Sequence, residues 1–230
     1  MRIGVLLPTF TADARRVFAA ARAAELAGID GIFCYDHLWQ PETSARPSLA
    51  PFPLLGALAA QTERVALGTL VARIALTRDE ILVDSFATLD RLSGGRVIAG
   101  LGTGDWKSAP EHTAFGLPYP SVTVRRATLA RCADLLVALG VETWIGGGGD
   151  ATNAVAVDRH LPLNLWSATP ARVAEVATST TVTWGGVLPR PSEAAAHLVA
   201  LRRAGAAWAV FTWGRGLAPL LAAVERARAT

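Results

Sequence analysis

Short runs of β-branched and aliphatic residues alternate along this chain with longer alanine-rich stretches whose apolar positions recur at helical spacing, most of them closing on a glycine. Eight such units can be counted, with strands predicted over residues 3–8, 31–35, 65–71, 97–101, 143–146, 163–166, 181–187 and 208–213. Helices are predicted near 13–27, 54–62, 79–92, 123–139, 152–159, 170–178, 192–204 and 215–228. Asp79 and Ser192 read as N-caps, and Thr169 reads as a cap followed by Pro170 at the first helical position. Gly28, Gly94, Gly140 and Gly205 stand where helix-terminating glycines belong.

Strict alternation makes neighbouring strands parallel, because each crossover helix returns the chain to the same edge of the sheet. Eight units in 230 residues predict an α/β fold, a (β/α)8 TIM barrel, as one domain spanning residues 1–230. A doubly wound open sheet is the rival, but the first strand ends in Pro8-Thr9-Phe10 rather than a glycine fingerprint. The longest irregular stretch, Leu38 to Pro53 with four prolines, follows strand two. In a barrel that places it on the face where loops carry chemistry.

Composition narrows the function. Hydrophobic residues make up 51% of the chain, yet no uninterrupted apolar run approaches the roughly 18 residues of a membrane span, so no membrane association is expected. Met1 leads directly into a strand-like segment without the sections of a secretory signal, which points to the cytoplasm. Cys34 and Cys132 are too few for a disulfide framework and lack zinc-site spacing. The four histidines are dispersed, and no metal set emerges. Net charge is only +3 and the arginines are scattered, unlike the basic stripe of a nucleic-acid binder.

Candidate chemistry gathers at the ends of predicted strands. After strand two, Asp36, His37 and Trp39 put a carboxylate, an imidazole and an indole side by side, and a neutral imidazole accepts a proton from a substrate hydroxyl. The bland alternative is a loop histidine bonded to its own backbone. After strand four, Gly100-Leu101-Gly102-Thr103-Gly104-Asp105-Trp106 lets a planar ligand approach the backbone, although Asp105 breaks the dinucleotide fingerprint. The turn Gly146-Gly147-Gly148-Gly149-Asp150 precedes a helix whose free amides attract phosphate, or else is a plain connector; no P-loop lysine follows. Trp39, Trp106, Trp166 and Trp213 fall at strand ends as candidate pocket walls, whereas Trp144, Trp184 and Trp208 lie within strands and read as packing.

Taken in order, the segments Glu25–Asp30, Tyr35–Leu38, Thr62–Thr69, Ala87–Arg96 and Gly100–Gly104 resemble the bacterial luciferase-like family of flavin- and deazaflavin-dependent oxidoreductases. The Asp-His pair and the Gly-Thr-Gly-acidic turn are most similar to the branch that transfers hydride with coenzyme F420, with FMN as the second choice of cofactor. The resemblance implies His37 as proton acceptor with Asp105 assisting. It also implies Asp36, Thr69, Leu70, Val71, Gly102, Thr103 and Gly104 around the ring, Gly147, Gly148 and Gly149 at the phosphate, and a non-proline cis peptide between Leu70 and Val71. A small-molecule substrate and a homodimer are implied too. An FMN-dependent monooxygenase and a non-catalytic flavin-binding protein are the alternatives.

Overall fold

The computed structural model describes residues 1–40, 43–214 and 216–229, with the side chains of 40 and 43–46 left aside. Pro41 and Glu42, in the predicted irregular stretch, Arg215, at the predicted start of the last helix, and Thr230 lie outside the described residues. The eight main strands are β1 (Arg2–Leu6), β2 (Gly31–Cys34), β3 (Ala66–Thr69), β4 (Val97–Gly102), β5 (Glu142–Gly146), β6 (Leu163–Trp166), β7 (Val182–Gly186) and β8 (Ala206–Thr212). The helices that follow them are α1 (Ala14–Leu26), α2 (Pro51–Ala59), α3 (Asp79–Ser93), α4 (Val122–Ala138), α5 (Asp150–Val157), α6 (Pro170–Val176), α7 (Pro191–Arg203) and α8 (Leu217–Arg228). Each strand pairs in parallel with its neighbours in sequence, and β8 pairs with β1, so the sheet closes as a (β/α)8 barrel.

Closure follows from the two-residue period of the strands. In β1, Ile3 and Val5 point outward into the core shared with the helices, while Leu6 points into the lumen with Phe33, Ile98, Trp144, Trp208 and Val210. The lumen is filled by three rings in mutual contact, with centroids 5.4 Å apart for Phe33 and Trp144, 5.3 Å for Trp144 and Trp208, and 6.0 Å for Phe33 and Trp208. Glycine makes room for them: a Cβ at Gly4 would stand 2.9 Å from the Phe33 ring and one at Gly31 3.0 Å from Trp208. Trp184 packs instead outside the strands, its indole N–H donating to the Ala168 carbonyl at 2.9 Å. Cys34 and Cys132 are buried free thiols, and burial pushes them up to about 12 and about 11, so neither is a nucleophile at neutral pH.

Several boundaries differ from the sequence expectation. α3 begins at Asp79 itself after Arg78, and Asp79 takes an ion pair with Arg131 while sitting favourably in the positive first turn. α7 likewise starts at Pro191, one residue before Ser192, because proline is pre-set for the first helical position and needs no N–H there. The stretch Leu38 to Pro53 is not all irregular: Trp39–Gln40 pairs antiparallel with Thr43–Pro47, and α2 starts early, at Pro51. Unpredicted elements are the short strand Ala72–Arg73, the 3-10 turn Trp106–Ser108 and the helix Ala109–Ala114. Thr169 caps α6 as expected, and Gly28, Gly94, Gly140 and Gly205 all have positive φ.

Candidate active site

Three of the segments that carry the resemblance meet at the N-terminal end of the barrel. There Glu25 Oε1 accepts the amides of Glu63, Arg64 and Val65 at 2.9, 2.7 and 3.2 Å. Arg96 donates to the carbonyls of Ala59, Thr62, Val65 and Ser93 and to the Thr62 hydroxyl, all within 3.0 Å. A cleft of about 500 Å³ opens beside them, lined by Arg2, Glu25, Arg64, Arg96 and Glu142. Glu25, Arg64 and Arg96 are paired with backbone and Glu142 with the Trp144 indole, which suits a structural end of the barrel, and chemistry in this fold belongs to the opposite end.

At that opposite end four charged or titratable groups converge. His37 Nδ1 lies 2.9 Å from Glu111 Oε1, and Glu111 Oε2 accepts the Leu38 amide at 3.3 Å and lies 2.5 Å from Arg73 Nη2. Arg73 also donates to Asp36 Oδ2 from its amide at 2.6 Å and from Nε at 3.3 Å, and to the Asp36 carbonyl. Arg73 and Glu111 are 4% and 1% exposed, so they are interior charges, whereas the His37 side chain keeps 25% of its surface open. Burial pushes the Asp36 carboxyl up to about 6 against the pull of Arg73. Burial acts on Glu111 in the same sense, but its hydrogen bond with His37 and the Arg73 charge outweigh it and hold the group below the usual carboxylate range. Glu111 is therefore an acceptor, so Nδ1 carries the hydrogen and Nε2, with no partner among the described residues, is the basic nitrogen.

The floor beside this cluster is backbone. The Leu70–Val71 peptide is cis, as the resemblance implied. The Val71 side chain fills the notch left by two glycines: a Cβ on Gly102 would overlap Val71 Cγ2, and one on Gly146 would stand 3.0 Å from it. Gly102 and Gly146 thus make room for Val71 between the strand ends, so this part of the barrel mouth offers backbone and one short apolar side chain, which fits the ring half of a flavin or deazaflavin. Phe10 and Tyr35, not singled out as site residues from the sequence, stack 5.0 Å apart on neighbouring loops.

Not every expected residue faces this floor. Thr69 is fully buried and its hydroxyl donates to the Gly100 carbonyl at 2.8 Å, so it braces β3 against β4. The Asp36 carboxylate turns to Arg73. Asp105 is exposed and caps the 3-10 turn, accepting from the Lys107 amide at 3.0 Å and exchanging bonds with Ser108, while Glu111 supplies the carboxylate next to His37. The Thr103 carbonyl accepts from Arg125 Nε at 2.7 Å, which ties the turn to α4. Of the expected phosphate amides, Gly147 N donates to the Asn164 carbonyl at 2.7 Å and Gly148 N to Asn153 Oδ1 at 3.0 Å; Gly149 begins α5 with no side-chain cap. Trp106 and Trp166 are exposed and Trp39 half-buried, whereas Trp213 packs against the outer core.

Arg73 and Glu111 escaped sequence reading because their partners lie 37 and 74 residues away. The usable signal was a lone arginine in the apolar run Leu70–Ala75, since a charge in a buried run requires partners.

The sequence model of a family described as luciferase-like monooxygenase matches residues 1–209. A relative from Beutenbergia cavernae, named F420-dependent glucose-6-phosphate dehydrogenase, is 37% identical over 133 residues, which cover 57% of this chain and 38% of the relative. The chain thus accounts for well under half the length of such relatives. Among solved structures, an F420-dependent secondary alcohol dehydrogenase in complex with an F420-acetone adduct superposes with a TM-score of 0.78 at 15% identity, covering 99% of both chains. The monooxygenase RslO1 from Streptomyces bottropensis superposes with a TM-score of 0.74 at 14% identity, covering 98% of this chain and 96% of its own. At such identities the superpositions speak for the fold.

Proposed function

Because the chain belongs to the luciferase-like monooxygenase family, we propose that it is an oxidoreductase that uses coenzyme F420 to exchange a hydride with a small organic carbinol or carbonyl compound. The observation that carries this reading is the His37–Glu111 hydrogen bond, which leaves a basic Nε2 beside a glycine-lined floor. The named relatives and the F420-dependent alcohol dehydrogenase of the same fold favour F420 over FMN. In this reading Leu70, Val71, Gly102, Gly104 and the Thr103 backbone hold the ring, and the Gly149 amide with the first turn of α5 receives the phosphate. Bound there, F420 supplies the carbon that takes up or returns a hydride.

His37 Nε2 accepts the substrate hydroxyl proton in oxidation and gives it back in reduction. Above the Asp36 transition at about 6, the group formed by Asp36, Glu111, Arg73 and neutral His37 carries one net negative charge. Proton uptake brings it to zero, so the interior charge falls as the imidazolium forms, and Glu111 stabilises that cation directly. Trp106 and Trp166 stand at the rim as apolar contacts for substrate, and Asp105 keeps the turn between them and the floor in shape.

The sugar phosphate in the relatives' name is not carried over. Lys107, the single lysine of the sequence, is exposed beside the Trp106 ring, too little by itself to define a phosphate site. The 230 residues act as one catalytic domain and pair as a homodimer in the cytoplasm. Titration with F420 and, separately, FMN, followed by ligand fluorescence, tests the cofactor. Saturable binding of F420 with reduction of the bound cofactor by a secondary alcohol is the expected result, and binding of neither overturns the assignment.

A further inference from the structure

We propose that Arg73 is a positioning residue, whose guanidinium fastens the Asp36–His37 loop to the helix carrying Glu111 and thereby fixes His37 as the Nδ1–H tautomer. The proposal rests on the reading of His37 as the proton-handling group. It concerns what keeps that group in working form.

Two βα loops, after β2 and after β4, close on this one side chain, which itself follows β3. It reaches Asp36 after β2 through its amide, Nε and Nη2, and Glu111 beyond β4 through Nη2. Its stem lies under the turn after β4, where a Cβ on Gly104 would stand 3.5 Å from Arg73 Cδ and Gly104 itself has φ +68°. Stability alone does not account for such an arrangement, since apolar groups of similar volume usually replace a buried ion cluster at no loss. Arg73 Nη1 is moreover buried without a partner among the described residues. An interior cation with one unsatisfied nitrogen is a costly brace, and a plain packing role would be met by leucine or methionine.

The two carboxylates explain what the cation does. Asp36 and Glu111 are both nearly sealed from water, and Arg73 is the cation bonded to both. The other titratable group on the Glu111 helix is His112. Its Nδ1 lies 3.0 Å from the Pro118 carbonyl, and burial, with the Arg73 charge adding to it, holds it below the usual histidine range. Asp105 and Lys107 sit exposed on the adjoining 3-10 turn. Without Arg73, Glu111 Oε2 loses its cation and the Asp36–His37 loop its tie to the Glu111 helix, so among the described residues only the Leu38 amide still holds the carboxylate opposite Nδ1. A Glu111 carboxylate that turns away no longer accepts from His37 Nδ1, and the hydrogen can then move to Nε2, the position that must stay free.

Imidazole nitrogen NMR on the cofactor-free protein at pH 7, assigned with His37→Asn, reads the tautomer directly. The expected result is Nδ1–H in the wild type and loss of that single tautomer in Arg73→Gln. The variant should also lose about 10²-fold in kcat while KM for the cofactor moves by no more than about threefold, as for removal of a group that orients a base. If Arg73→Gln fails to fold, the same spectrum is taken on Asp36→Asn/Arg73→Gln, which lacks the stranded carboxylate. An unchanged Nδ1–H signal in whichever variant folds overturns the proposal. A wild-type His37 with its hydrogen on Nε2 would instead sink the proposed role of His37, so the two failures are told apart.

Discussion

Asp36 gives a pH dependence of stability whose size can be worked from its surroundings. Its carboxyl is 8% exposed and burial lifts it from 3.8 to about 6 in the folded chain. Between those values the unfolded chain has released a proton that the folded chain retains, so the unfolded state binds fewer protons and stability falls as pH rises. The contribution is fully present below pH 3.8 and lost as pH passes through about 6. At about 1.36 kcal/mol per pH unit, the interval from 3.8 to about 6 corresponds to about 3 kcal/mol. Glu111, held low, works in the opposite sense and blunts the total, so the comparison must isolate Asp36. Asp36→Asn does this: it keeps the shape and removes the titration. Urea unfolding followed by tryptophan fluorescence, at intervals from pH 4 to 7.5, should show the wild type losing up to about 3 kcal/mol relative to the variant across that range. A constant difference between the two curves would refute the placement of Asp36 as an interior carboxylate.

Three further outcomes are expected. Glu111→Gln should lower kcat for hydride exchange by about 10²-fold with a smaller effect on KM, because it leaves His37 without its fixed acceptor; steady-state rates that match the wild type would count against Glu111. Gly102→Ala, whose new methyl would overlap Val71, should cost about 1–3 kcal/mol of stability and weaken cofactor binding, read by denaturation and fluorescence titration. Arg96→Met removes a half-buried guanidinium from five oxygen acceptors at the far end of the barrel and should cost about 2–4 kcal/mol while leaving cofactor affinity unchanged, a separation that calorimetry on the same sample can check.

The barrel was legible because its signals are local. A short β-branched or aliphatic run marks each strand, and Gly28, Gly94, Gly140 and Gly205 punctuate helices with a conformation other residues avoid. Where local signals compete, boundaries moved: Pro51 and Pro191 began helices ahead of the residues chosen from pattern alone. The site was half legible. His37 and the glycine floor announce themselves by residue type, whereas Glu111 acquires its role only when the helix at Ala109–Ala114 comes against the loop after β2, and nothing within a few residues of it encodes that contact. Asp105 drew attention as the acid next to the glycine turn, but an aspartate followed by a short helical turn finds amides close by and caps them. The segments that carry the family resemblance include Glu25 and Arg96, whose work is scaffolding, so they identify the barrel more securely than its chemistry.

The rings of Phe33, Trp144 and Trp208, one pair stacked and two edge-to-face, stop the barrel like a cork, and traffic reaches the site from the opposite mouth. Two guests sharing one entrance cannot arrive in arbitrary sequence. Whatever lies flat on the glycine floor has to enter first and depart last, with its companion arriving above it, so steady-state kinetics should obey a compulsory order with the ring-bearing molecule leading.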